Sequence, residues 1–196
     1  MRGSRVFNIV GLTWVAALVF ILAGAMNSAV AAPYTIGPKK CQECHGEEAK
    51  VWEATKHYRA FKTVHKDKRA KPIVKAIGDR RMKKSTTCLM CHYTEASKAA
   101  GGKRKTVAGP SCESCHGASS DWLALHDNYG GKDVKREQEA PDHKIKRIAD
   151  SQAAGLIWPS MQFEVAENCM TCHGLAHPDL KADDLAKMLG AGHPIN

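Results

Sequence analysis

Cys112-Glu-Ser-Cys115-His116 is the stretch whose reading decides this chain. Its outline recurs as Cys41-Gln-Glu-Cys44-His45, Cys88-Leu-Met-Cys91-His92 and Cys169-Met-Thr-Cys172-His173. On one helical turn the cysteines stand at i and i+3 and the histidine at i+4, so all three side chains leave the same face. Two thiols can then bond the vinyl edges of one porphyrin while the imidazole reaches its iron from below, the attachment chemistry of a c-type haem. A single motif of this kind also suits half a zinc site or a redox-active thiol pair, and eight cysteines suit four disulfides. Here every cysteine belongs to a pair and a histidine follows every pair, although histidine is only 10 of 196 residues. Four such coincidences come to about one in 10⁵. The pattern predicts four covalent haem c groups, bonded through Cys41, Cys44, Cys88, Cys91, Cys112, Cys115, Cys169 and Cys172. His45, His92, His116 and His173 are the proximal iron ligands.

Upstream of the first motif, Arg2 and Arg5 precede an almost wholly apolar run from Val6 to Met26, and Ala29-Val30-Ala31 offers a small-residue cleavage site. This reads as a secretory signal peptide over 1–31, the alternative being an uncleaved anchor, since about 20 apolar residues can span a bilayer. Cleavage would leave a single domain over 32–196 with no integral membrane segment, placed in the periplasm or, as alternatives, outside the cell or at a membrane. Haem c is attached outside the cytoplasm, which fits export.

That mature chain is short for four cofactors, so the porphyrins must form much of its core. The expected fold is mainly α with long loops, a multihaem cytochrome c fold built around four packed haems. Without Arg2 and Arg5 the chain holds 27 basic and 20 acidic residues, a formal +7. Each ferric haem adds about −1, which brings the holoprotein to about +3. No nucleic-acid motif accompanies the basic runs Lys66–Arg69, Arg80–Lys84 and Lys103–Lys105, which read as solvated faces or as partners for propionates and an acidic redox protein.

Between the motifs, one helix is expected from Glu47 to Lys66, with His57, Phe61 and His65 on one stripe. Pro72 is read as a break and Ile73–Ile77 as a short apolar patch. A short helix is expected from Ser120–Asp121 through Leu125, loop or loose helix from Lys132 to Asp150, and a last helix over Asp183–Leu189. No strand of consequence is expected. Six histidines lie outside the motifs: His57, His65, His126, His143, His177 and His193. His57 is 12 residues beyond His45, about 18 Å along a helix, so it should serve a ring other than its neighbour's. Met82, Met161 and Met188 are read as packing residues rather than ligands.

Three features resemble the tetrahaem cytochrome c-554 family of multihaem c-type cytochromes. They are Trp52-x-x-Thr55-x-His57 after the first motif, the stretch Gly109-Pro-Ser-Cys112-Glu-Ser-Cys115-His116-Gly117 with His126 ten residues later, and the order of the motifs. The resemblance implies His57 as distal ligand to the third haem and His126 to the first, with His193 favoured for the fourth. The family leaves the second iron five-coordinate. This chain offers His65, on the stripe of His57, and His143; an imidazole beside a vacant ferric site tends to bind it. His65 is therefore assigned to the second haem and all four irons are expected to be six-coordinate. The function expected is that of a carrier rather than an enzyme, passing electrons between donor and acceptor redox proteins. The alternatives are a small-molecule reductase acting, for example, on nitric oxide at a five-coordinate second haem, and a homo-oligomeric conducting filament joined through spare histidines.

Overall fold

The computed structural model describes residues 31–195. The leader expected over 1–31 lies, apart from Ala31, outside the described residues.

Among the described residues ten short helices follow one another: α1 (Pro38–Gln42), α2 (Gly46–Glu53), α3 (Lys56–Thr63), α4 (Ala70–Ala76), α5 (Thr86–His92), α6 (Cys112–His116), α7 (Leu123–His126), α8 (Pro141–Ala153), α9 (Gln162–His173) and α10 (Ala182–Gly190). Three 3₁₀ turns, Val64–Lys66, Met82–Lys84 and Arg136–Gln138, lie between them. The expected mainly α fold is found, with a β-ribbon added. β1 (Thr94–Ala96) and β2 (Lys105–Ala108) pair antiparallel, Ala96 opposite Lys105 and Thr94 opposite Ala108, with an irregularity after Thr94.

The single helix expected over 47–66 is broken in two. Thr55 is extended (φ −83°, ψ 165°), and its Oγ1 accepts the N–H of Tyr58, capping α3, while donating to the Trp52 carbonyl. A threonine so placed stops one helix and starts the next. After Thr63 the chain tightens into the 3₁₀ turn, so His65 leaves the stripe of His57. Pro72 sits in the first turn of α4, where its missing N–H breaks no helical bond, and does not act as the expected break. The segment read as loop or loose helix contains the longest helix described: α8 opens with Pro141 at its first position and Asp142 in its first turn.

Buried apolar residues are few. Among the described residues only Tyr93 and Trp122 are buried aromatics, and the other buried apolar side chains are mostly Ala, Ile, Val and Leu, with Ala70, Ile73 and Val74 of α4, Leu89 of α5 and Met188 of α10 among the buried set. A chain of this size with so small a core needs another apolar body to pack around. Polar ties do part of the work. Tyr34 exchanges hydrogen bonds with Ser120, and the carboxylate of Glu113, itself 6% exposed, accepts the backbone N–H groups of Ile36 (2.9 Å), Gly37 (2.7 Å) and Ser119 (3.0 Å) as well as the Ser119 hydroxyl. Glu113 lies inside the third motif, so the N-terminal segment and the loop beyond His116 are both clamped to it.

Candidate functional site

Each motif ends a helix: α1 and its following turn carry Cys41–His45, α5 carries Cys88–His92, α6 carries Cys112–His116 and α9 ends on Cys169–His173. A helix C-terminus leaves the last side chains free on one face, the disposition that spacing alone predicted. All eight cysteines are unbridged, and no group of three His, Cys, Asp or Glu side chains suited to a bare metal ion occurs among the described residues.

Three of the four motif histidines each face a histidine from far along the chain. The ring centres of His45 and His126 are 6.0 Å apart with planes 25° from parallel, those of His57 and His173 are 5.9 Å apart, and those of His92 and His193 are 6.0 Å apart. An imidazole nitrogen bonds a metal at about 2 Å and its ring centre lies about 1.1 Å behind, so two imidazoles across one iron have centres about 6.2 Å apart. The gaps between these rings match that span, so each pair is spaced to hold a haem iron were one bound. A cavity of about 260 Å³ takes in both the His57/His173 and the His92/His193 pairs together with Cys88, Cys91, Cys169 and Cys172. Burial is the main cause that lowers the pKa of His57 and of His126, and burial followed by the nearby His193 lowers that of His92 to about 4. At neutral pH these rings are uncharged, the form in which a nitrogen lone pair can bind iron.

Two of the three pairings differ from those expected. His126 stands opposite the first motif. His57 faces the fourth motif rather than the third, and His193 faces the second rather than the fourth. His65 stands opposite no motif histidine; it lies in the 3₁₀ turn, its Nδ1 buried without a partner. His143 Nδ1 is held 2.8 Å from Glu139 Oε1, and His177 Nδ1 accepts the N–H of Asp179 at 3.2 Å. His116 has no imidazole across from it among the described residues. Its Nδ1 instead lies 2.8 Å from the Ile157 carbonyl, while its own carbonyl accepts the Ile157 N–H at 3.0 Å. An Nδ1–H bound to a carbonyl fixes the tautomer and leaves Nε2 to the metal.

The motifs also touch each other. Cys41 neighbours Cys112, Cys115 neighbours Cys169 and Cys91 neighbours Cys172, and the helices that carry them are in contact, α1 with α6, α6 with α9 and α9 with α5. Read end to end, these contacts run first, third, fourth, second.

The sequence features that carried the family resemblance acquire physical reasons. Trp52 Nε1 donates to the Pro110 carbonyl at 2.9 Å, and Thr94 Oγ1 donates to the Gly109 carbonyl at 2.8 Å. A Cβ on Gly109 would lie 2.1 Å from the His57 carbonyl oxygen, so only glycine lets α3 approach this closely. Trp52, Thr55, His57 and the Gly109–Pro110 pair thus form one unit that sets the position of His57. Arg147 was not foreseen. Its guanidinium forks onto Glu139 at 2.7 and 2.8 Å and donates its remaining nitrogen to the His126 carbonyl at 2.8 Å, tying α7 to α8. The charge pattern within α8 carried no hint of this, since both partners lie outside that helix.

The family model described as cytochrome c554 and c-prime matches residues 40–117, which contain the first three motifs. Cytochrome c-554 of Nitrosomonas europaea is 26% identical over 165 residues, covering 81% of this chain and 65% of that relative. No solved structure matches. Both matches bear out the expected resemblance to the cytochrome c-554 family. No helix among the described residues is long and apolar enough to cross a membrane.

Proposed function

We propose that this chain is an exported tetrahaem c-type cytochrome, with leader 1–31 and cytochrome domain 32–196, that carries electrons between redox partners in the periplasm. The observation that carries the reading is the set of three histidine pairs, each spaced for one iron, each formed by a motif histidine and a distant one. When bound, haem supplies reversible one-electron chemistry at iron. The chain's part is to hold and order the four sites. His126, His57 and His193 would hold the irons of the first, fourth and second sites together with the motif histidines they face, which favours a carrier over an enzyme at those positions. The contacts between the motif helices support the order first, third, fourth, second, in which electrons entering at one end would reach the other through neighbouring rings.

A second reading concerns the third site: among the described residues no imidazole faces His116, so a haem held there would be open to a small ligand and to reductase chemistry, an opening that the family resemblance had placed at the second haem.

Intact mass of the exported protein tests the main reading. The expected result is a chain beginning at Ala32 with four haem additions and no titratable thiol, reduced and reoxidised reversibly. Fewer haems, or a haem that cannot cycle, overturns it.

A further inference from the structure

The helix that carries the second motif has two working faces. Cys88, Cys91 and His92 line the cavity shared with the fourth motif, while Thr86 and Leu89 of the same helix line an open groove of about 640 Å³ on its other side. A helix is about 10–12 Å across, so a single helix separates that groove from the second site.

The groove is strongly basic. Lys83 and Lys84 enter from the 3₁₀ turn before α5, and Lys103, Arg104 and Lys105 from the loop leading into β2, facing the single acid Glu95. Among the described residues none of the five cations lies within 4 Å of a carboxylate, whereas Lys40, Lys50, Arg69 and Lys146 elsewhere each have one. Lys83 is held in place: its Nζ sits 4.1 Å from the centre of the Phe61 ring and 5.5 Å from that of Tyr93. Gathering like charges costs free energy, and a concave wall focuses their field outward, where it attracts an anionic body. The ribbon is what brings the second and third basic runs, separate in sequence, onto one wall.

We propose that this groove is the docking surface for an acidic redox protein, and that the second site is the port through which this chain exchanges electrons with it. The inference rests on the carrier reading and names its partner's chemistry. In the order of helix contacts α5 meets the fourth motif's helix α9 and neither α1 nor α6 to a comparable extent, so the second motif ends the row, which is where a port belongs. One electron crosses at each encounter; no proton or group goes with it, and the partner's centre changes by one unit in the opposite sense. An acidic protein suits the groove better than a nucleic acid does, because the cations line one short concavity beside a redox site and Glu95 stands among them.

The test compares the full holoprotein with its K84E/K103E/K105E variant and with K132E/K135E/K144E, which makes the same charge change outside the groove. An acidic flavodoxin serves as the probe. Its binding is followed calorimetrically, and the rate of electron exchange in parallel, at about 20 and about 200 mM salt. Reversal in the groove is expected to weaken binding and slow exchange about tenfold or more at low salt and to flatten the salt dependence, while the outside variant changes less than about twofold. Equal losses in both variants, unchanged binding in the groove variant, or displacement of the probe by an equal charge of short duplex DNA overturns the proposal. Haem content and reversible reduction by dithionite, read on the same samples, report on the carrier reading separately. Missing or inert haem sinks that reading, whereas intact haem with groove-independent binding sinks only the port.

Discussion

His193 stands with its ring centre 6.0 Å from that of His92, although 101 positions separate them. The link is built by the C-terminal turn: the His193 N–H donates to the Met188 carbonyl, Met188 is buried, and α10 packs on α4 beside the second motif. His193 Nδ1 lies 2.8 Å from the Pro194 carbonyl, which leaves Nε2 for a metal.

His193→Ala is therefore expected to turn one haem high-spin while all four remain covalently attached, as read by electron paramagnetic resonance and intact mass. His126→Ala and His57→Ala should each do the same at a different haem. The assignment of His57 has its own control. In a Cys169→Ser/Cys172→Ser background, which cannot attach the fourth haem, His57→Ala should add no high-spin signal. A signal that persists there would mean that His57 serves another iron.

The third site gives a contrasting expectation. With His116 alone on its iron, the ferrous protein should bind one carbon monoxide per chain, and the ferric protein should show one high-spin haem in four. Removing that haem with Cys112→Ser/Cys115→Ser should abolish the carbon monoxide band. No binding in the native protein would show that a side chain closes this face, and would restore the expectation of four six-coordinate irons.

The four motifs were legible because their geometry is local: positions i, i+3 and i+4 are fixed by one helical turn. The outer histidines were legible only as candidates. Which motif each one meets depends on contacts across 81 positions for His45 and His126 and 116 for His57 and His173, and no periodicity encodes them. The expectation that His57 and His65 share a stripe failed after Thr63, where α3 gives way to the 3₁₀ turn that carries His65, while Thr55, whose side chain competes for backbone groups, split the single helix expected over 47–66. The signals for α8 were present in Pro141 and Asp142 but were outweighed by the polarity of the segment. The ribbon escaped because strands of three and four residues show too little alternation to read.

Gly109 makes a packing prediction. A methyl group there would meet the His57 carbonyl at a distance no relaxed structure allows, so Gly109→Ala should push α3 away at a cost of about 1–3 kcal/mol. Because α3 carries His57, thermal destabilisation should come with partial high-spin character at the fourth haem. Trp52→Phe, which keeps the ring and loses only the bond to Pro110, should cost about 1 kcal/mol and leave the spectrum low-spin. Equal spectra in the two variants would detach Gly109 from His57.

Glu139 predicts an acid sensitivity. Its side chain is 2% exposed, and the Arg147 guanidinium first, then His143, hold its pKa down at about 2, below the usual carboxylate range. A carboxylate whose pKa is depressed by folding adds stability above its unfolded pKa, and that contribution is lost as pH falls through the folded one. Its share should therefore be whole at neutral pH, begin to fade below about pH 4.5 and be gone near pH 2. Glu139→Gln removes the charge at every pH, so its melting temperature should lie well below the native value near pH 7 and approach it as the solution is acidified. The same variant frees Arg147, which also donates to the His126 carbonyl, so loosening should reach the first haem before the others. Two melting curves that stay parallel from pH 7 to about pH 3 would show that the Arg147–Glu139 pair adds nothing to the attachment of α7 to α8.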